Sequence, residues 1–137
     1  MPHTEKADSE TVSFHYDMSN EFYADFLGSS MTYTCAVFDN EHMSLEDAQA
    51  NKLRLILDKL DLQPGQRLLD IGCGWGSMVI TAARRGIKAL GVTLSKEQAA
   101  YANEWIAREG CRIWPKCVCK TTARCLSTTS TVSARSA

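Results

Sequence analysis

The stretch Arg67-Leu-Leu-Asp-Ile71 runs straight into Gly72-Cys-Gly-Trp-Gly76. A short apolar strand that delivers its carboxyl end into GxGxG, and then into a helix, is the first βα turn of a doubly wound parallel sheet. The glycines let a ligand approach bare backbone, and the following helix offers unbonded N–H groups. The pattern downstream fits. A helix is predicted from the loop through about Arg85, closed by Gly86, and KALGVTL at 88–94 reads as a second strand. Ser95-Lys-Glu-Gln98 is a capping box opening a helix to about Glu109, with Gly110 in the stop position. Strand, helix, strand gives a βαβ unit, right-handed and parallel by rule.

Upstream, SFHYDMSNEFYADFLG at 13–28 carries Phe22, Phe26 and Leu27 at helical spacing, with Ser19 as N-cap and Gly28 as stop. MTYTCAVF at 31–38 is β-branched and aromatic without helical period, and reads as an extended segment. Ser44-Leu-Glu-Asp47 opens a helix of about 16 residues, its apolar face predicted as Leu45, Ala48, Leu53, Ile56, Leu57 and Leu60. LQPGQ at 62–66 is a turn, and Arg67 to Ile71 a buried strand.

The 137 residues amount to one domain, and 45% hydrophobic content supports a core. A net charge of −1 gives no global field to recruit nucleic acid or an anionic membrane. No apolar run approaches the roughly 18 residues of a membrane span and no signal peptide is visible, so a soluble cytoplasmic protein is expected. All 16 acids precede residue 111, whereas 5 of the 15 Lys and Arg, and 4 of the 6 cysteines, lie at residue 111 or beyond. This shift divides the chain into a disordered N-terminus (1–12), a domain part (13–110) and a Cys/Ser/Thr-rich tail (111–137) expected to lack strands and helices. The tail cysteines, Cys111, Cys117, Cys119 and Cys125, run C-x5-C-x-C-x5-C without paired knuckles or a nearby His, so no metal site is expected.

Two nucleotide cofactors compete for the loop. Nicotinamide-binding turns read GxGxxG, with an acid closing the second strand to hold ribose hydroxyls. Here the third glycine falls one place early, and the second strand ends in VTLS. Asp70 is better placed for the cationic amino-acid end of S-adenosylmethionine. An NAD-dependent oxidoreductase fragment remains the alternative enzyme, and a Cys-rich interaction or metal module the non-enzymatic one.

HYDMSNEFYADFL, MTYTCAVF, LLDIGCGWGS and GVTLSKEQ, in this order and spacing, resemble the cyclopropane-fatty-acyl-phospholipid synthases, including the mycolic acid cyclopropane synthases. The resemblance covers roughly residues 13–110. It implies an α/β, Rossmann-like class I S-adenosylmethionine-dependent methyltransferase fold, truncated here to N-terminal helices plus the first βαβα unit. It further implies methyl transfer onto the cis double bond of an unsaturated lipid acyl chain, phospholipid or acyl-carrier-bound, with transient membrane-surface contact. Proton loss then closes a ring; relatives retain the methyl or add oxygen. An alkene is a poor nucleophile, so the sulfonium must be held in line and the carbocation kept from water.

Residue by residue, Tyr33 and Thr34 match cofactor-contacting positions. Leu68, Leu69, Asp70, Ile71, Gly72, Cys73, Gly74, Trp75 and Gly76 match the glycine loop. Thr93, Leu94, Ser95, Lys96, Glu97 and Gln98 match the segment facing ribose and adenine. Tyr16 and Tyr33 offer ring faces to a cation. Cys35 matches the position that helps hold a bicarbonate ion, the family's proton acceptor. Each also has a structural reading: Tyr16 and Tyr33 as half-buried aromatics, Cys35 as a small apolar side chain, Gln98 as a cap, Cys73 as loop backbone, His15 as structural or substrate-facing. Trp75 packs over the cofactor or on the sheet.

The family's further acid, a Glu in a FEH-type motif, and its later His and Tyr match nothing in 111–137. A one-base shift of reading frame, with permitted codons, turns KCVCKTTAR into EVRVQDYR, a strand-like run ending near an acid. The expectation is a chain frameshifted near Gly110, marginally stable, inactive as a transferase, and complementable by a separate downstream half.

Overall fold

The computed structural model describes residues 19–110 and the backbone of 116–119. Expectations for 1–12, for His15 and Tyr16, and for 111–115 and 120–137 lie outside the described residues.

Helix α1 spans Asn20–Leu27; the Ser19 hydroxyl accepts from Phe22 N–H at 3.3 Å, and Gly28 ends it with φ +64°. A single 3-10 turn, Gly28–Ser30, leads to Met31, whose backbone is left-handed at φ 46°. Residues 31–38 join no sheet. Their backbone groups are instead met by α2, Leu45–Leu60, the 16-residue helix expected from Ser44. The Ser44 hydroxyl accepts from Asp47 N–H at 3.1 Å.

The face that α2 buries differs from the predicted stripe. Ala48, Leu53 and Leu57 are buried, but so are Gln49 and Asn51, while Leu45, Ile56 and Leu60 are exposed. The polar pair is drawn inward because the 32–37 segment, without a β ladder, presents carbonyls that must find donors. Gln49 Nε2 donates to Thr34 O at 2.7 Å, Asn51 Nδ2 to Val37 O at 3.0 Å, and Val37 N–H to Ala48 O at 3.2 Å.

The sheet has the order β1-β2-β3: Arg67–Ile71, Lys88–Thr93 and Lys116–Cys119, all parallel. Leu69 pairs with Leu90, and Leu90 with Lys116. The third strand corrects the expectation that 111–137 holds none; backbone pairing to the free edge of β2 does not need an apolar pattern. Helix α3, Ser77–Arg84, links β1 to β2, and α4, Lys96–Arg108, links β2 to β3. Both crossovers step in the same direction across the sheet, so right-handedness puts both helices on one face. There Leu57, Val79, Ile80, Ile87, Ala89, Ala102 and Ile106 form the core, with Leu68 packed against it.

Alternation then turns Leu69 and Ile71 to the other face, which no described helix covers. Ile71 is 55% exposed. So β1 is not the buried strand predicted: Arg67 and Ile71 are exposed and the three residues between are half-buried. Among the described residues β1 pairs with β2 alone, and its outer edge is open.

Candidate cofactor-binding site

Three segments meet at the carboxyl end of β1 and β2. The first is the glycine loop. Gly72 N–H and Cys73 N–H both donate to Val92 O, at 2.8 and 3.0 Å, tying the loop to β2. Gly72, Gly74 and Gly76 all have left-handed backbone, at φ +79°, +55° and +94°. A side chain at Gly72 or Gly74 would meet nothing within 4 Å, so the loop borders open space. The Cys73 side chain turns into the core, leaving its backbone to the loop.

Asp70 stands next to this loop, half-buried, its carboxyl without a hydrogen bond or ion pair to any described residue. Burial raises its carboxyl above the ordinary aspartate range. A carboxylate partly withdrawn from water and left without a counter-charge favours a cationic ligand. Leu68, Leu69 and Ile71 contribute strand backbone beside it.

The second segment closes β2 and opens α4. The Thr93 hydroxyl donates to Gln98 Oε1 at 2.6 Å, Ser95 N–H to Thr93 Oγ1 at 3.3 Å, and Gln98 N–H to Ser95 Oγ at 3.2 Å. The predicted capping box is therefore half right. Ser95 caps, but the Gln98 oxygen takes the Thr93 hydroxyl rather than the Ser95 N–H. These three side chains are buried and spent on one another, whereas Lys96 and Glu97 are exposed and Leu94 is half-buried. No acid closes β2, as the sequence indicates.

The third segment, Thr32 to Cys35, is brought to the loop from both sides. The Thr32 hydroxyl donates to Ser30 O at 2.9 Å and its oxygen accepts from the Ser77 hydroxyl at 3.2 Å, on the first residue of α3. Trp75 packs against α1. Its ring is buried against Tyr23, centroids 4.8 Å apart, and its Nε1–H donates to Asn20 Oδ1 at 2.9 Å. α1 thus supplies an aromatic partner and an acceptor for this ring that the sequence reading did not include. Tyr33, 58% exposed, touches Tyr23 and Phe26 edge-on at 6.1 and 6.2 Å. Thr34 and Cys35 are exposed; Cys35 is thus not the buried apolar side chain of its structural reading.

Sequence reasoning missed Lys52. Its ammonium donates to Thr34 Oγ1, and burial pulls its pKa below the ordinary lysine value. Gln49 was missed too; it holds the Thr34 carbonyl, and its own Oε1 is buried without a partner among the described residues. The available signal was the polar run Gln49 to Lys52 interrupting an apolar helix face.

A separate groove of about 680 Å³ opens between α2, α3 and α4, edged by Ser77, Thr81, Tyr101 and Trp105, and includes none of the predicted site residues. Among the described residues no cluster of three or more His, Cys, Asp or Glu could hold a metal. The tail cysteines lie outside that statement. No described helix is long and apolar enough to cross a membrane.

Residues 3–116 match the profile of the mycolic acid cyclopropane synthetase family. The probable fatty acid methyltransferase Rv3720 of Mycobacterium tuberculosis is 57% identical over 108 residues, 79% of this chain and 25% of the relative. The cyclopropane synthase MmaA2 of the same organism superposes with a TM-score of 0.79 at 40% identity, over 90% of this chain and 42% of that one. The mycolic acid cyclopropane synthase CmaA1, solved with SAH and CTAB, gives a TM-score of 0.76 at 38% identity, over 86% of this chain and 40% of that one. The chain thus spans a quarter to two-fifths of the length of these proteins.

Proposed function

The chain belongs to the mycolic acid cyclopropane synthetase family, and from that premise we propose that it binds S-adenosylmethionine for methyl transfer to the double bond of an unsaturated lipid acyl chain. The observation that carries this reading is the pairing of an unpartnered, half-buried Asp70 with the open space over Gly72 and Gly74. A flat, cationic amino-acid nucleoside fits that combination. A nicotinamide dinucleotide, which asks for an acid at the end of β2, does not.

When bound, the cofactor supplies an electrophilic methyl group on a sulfonium. The chain's own residues do the rest of the holding. Asp70 takes the ammonium of the amino-acid end, the glycine loop admits the ligand against bare backbone, and the exposed Tyr33 offers a ring face to positive charge. The Thr93–Ser95–Gln98 ring fixes the start of α4, so that Lys96 and Glu97 flank the nucleoside without rearranging. Cys35 is the place for bicarbonate.

The methyl acceptor is the acyl chain of an unsaturated phospholipid or of an acyl-carrier-bound lipid. Transfer also requires a dry channel for the acyl chain. No described helix covers the sheet face that carries Ile71, and the described residues alone capture cofactor without turnover. Titration calorimetry of the full chain tests the reading. Binding of S-adenosylmethionine without binding of NAD is expected; the opposite preference, or neither ligand, overturns it.

A further inference from the structure

Thr34 is held at both of its oxygens by α2. Gln49 Nε2 donates to its carbonyl at 2.7 Å, and the Lys52 ammonium donates to its hydroxyl oxygen. An ammonium has three donors and no acceptor, so the direction of the second bond is fixed. The hydroxyl oxygen accepts from Lys52, and its own hydrogen must point elsewhere. Thr34 is exposed, so what it offers the site is an O–H donor, polarised by a neighbouring cation.

The charges around this donor are one-sided. Lys52 makes no ion pair with any described carboxylate, and its half-buried ammonium bonds the Thr34 hydroxyl oxygen instead. Asp70, near the carboxyl end of β1, is a carboxylate without a cationic partner among the described residues. One group therefore asks for a cation and the other for an anionic acceptor.

We infer that Lys52 is a positioning residue which, through Thr34, receives the carboxylate of the ligand's amino-acid end, opposite the ammonium taken by Asp70. The inference rests on the reading of the site as one for S-adenosylmethionine. Lys52 does not itself touch the cofactor; it sets the polarity of the group that does. The two missing counter-charges are then supplied by the two charges of one zwitterion.

The test compares two ligands in calorimetry with the full chain: S-adenosylmethionine and its decarboxylated analogue, which keeps the amine and sulfonium but lacks the carboxylate. Lys52→Met preserves most of the side chain's stem and removes the charge. It is expected to weaken S-adenosylmethionine about tenfold, in keeping with loss of a charge-assisted hydrogen bond, and to leave the decarboxylated analogue within about twofold. Lys52→Arg, which keeps a charged donor, should restore most of the difference. A thermal melt of each variant reports folding independently. Equal weakening of both ligands, no weakening of either, or failure of Lys52→Arg to rescue a folded protein overturns the inference. Failure of the parent chain to bind either ligand overturns instead the reading on which it rests.

Discussion

The Thr93 hydroxyl donates to the Gln98 side-chain oxygen at 2.6 Å, and each residue is only 5% exposed. This bond joins the last residue of β2 to the first turn of α4, across the corner where the candidate site bends. Thr93→Val keeps the shape and deletes the donor, so the buried Gln98 oxygen loses its hydroxyl partner. A loss of about 1–3 kcal/mol is expected in denaturant unfolding. Thr93→Ser keeps the hydroxyl and should retain most of that stability; identical midpoints for Val and wild type would refute the role.

Asp70 gives a pH-dependent expectation. Its folded-state pKa is raised by burial, so the folded protein holds the proton more tightly than the unfolded chain. Stability from this group is fully present below the unfolded-state pKa and is lost as pH rises through the folded-state value. Asp70→Asn, neutral at every pH, should therefore raise the melting temperature of the ligand-free protein near pH 7 and change it little near roughly pH 3.5. The same substitution should weaken S-adenosylmethionine. An equal thermal gain at both pH values would contradict the assignment of cause.

The glycine loop separates folding from binding. A Cβ at Gly72 meets no neighbour within 4 Å, yet φ there is +79°. Gly72→Ala should cost about 1–2 kcal/mol of stability for its left-handed backbone. Its methyl would project into the space the ligand needs, so affinity in calorimetry should fall by more than the folding cost alone explains. A variant that binds as tightly as its parent would place the ligand elsewhere.

The bare sheet face and the open β1 edge make self-association the expected behaviour at high concentration. Ile71, 55% exposed beside Leu69, is the place to interrupt it. Ile71→Lys should reduce concentration-dependent sedimentation while leaving the circular dichroism spectrum unchanged. Sedimentation of the parent chain that does not vary with concentration would exclude this edge as the cause.

What could be read from the sequence was whatever local chemistry decides. Ser19, Ser44 and Ser95 cap the helices they precede, because a hydroxyl next to unbonded N–H groups needs nothing distant to act. The loop glycines adopt the left-handed backbone that only glycine takes freely. The misses all depend on partners far along the chain. Gln49 and Lys52 look like solvated helix residues until the unladdered 32–37 segment is laid over them. Trp75 can face either way until Asn20 and Tyr23 provide its acceptor and its ring. Ile71 reads as core until β1 proves to be the outermost described strand. Nothing local to Thr34 foretold that Lys52, 18 residues on, would bond its hydroxyl.

The bond from Trp75 to Asn20 has a consequence for how the protein is made. Its ends are 55 residues apart, and α1 has only 8 residues, too few to persist as a helix in water by itself. At ribosomal rates of about 5–20 residues per second, roughly 3–11 s separate the synthesis of α1 from that of its anchor. Over that interval its aromatic side chains form the kind of apolar segment that chaperones hold. Early as α1 is made, it is fastened late.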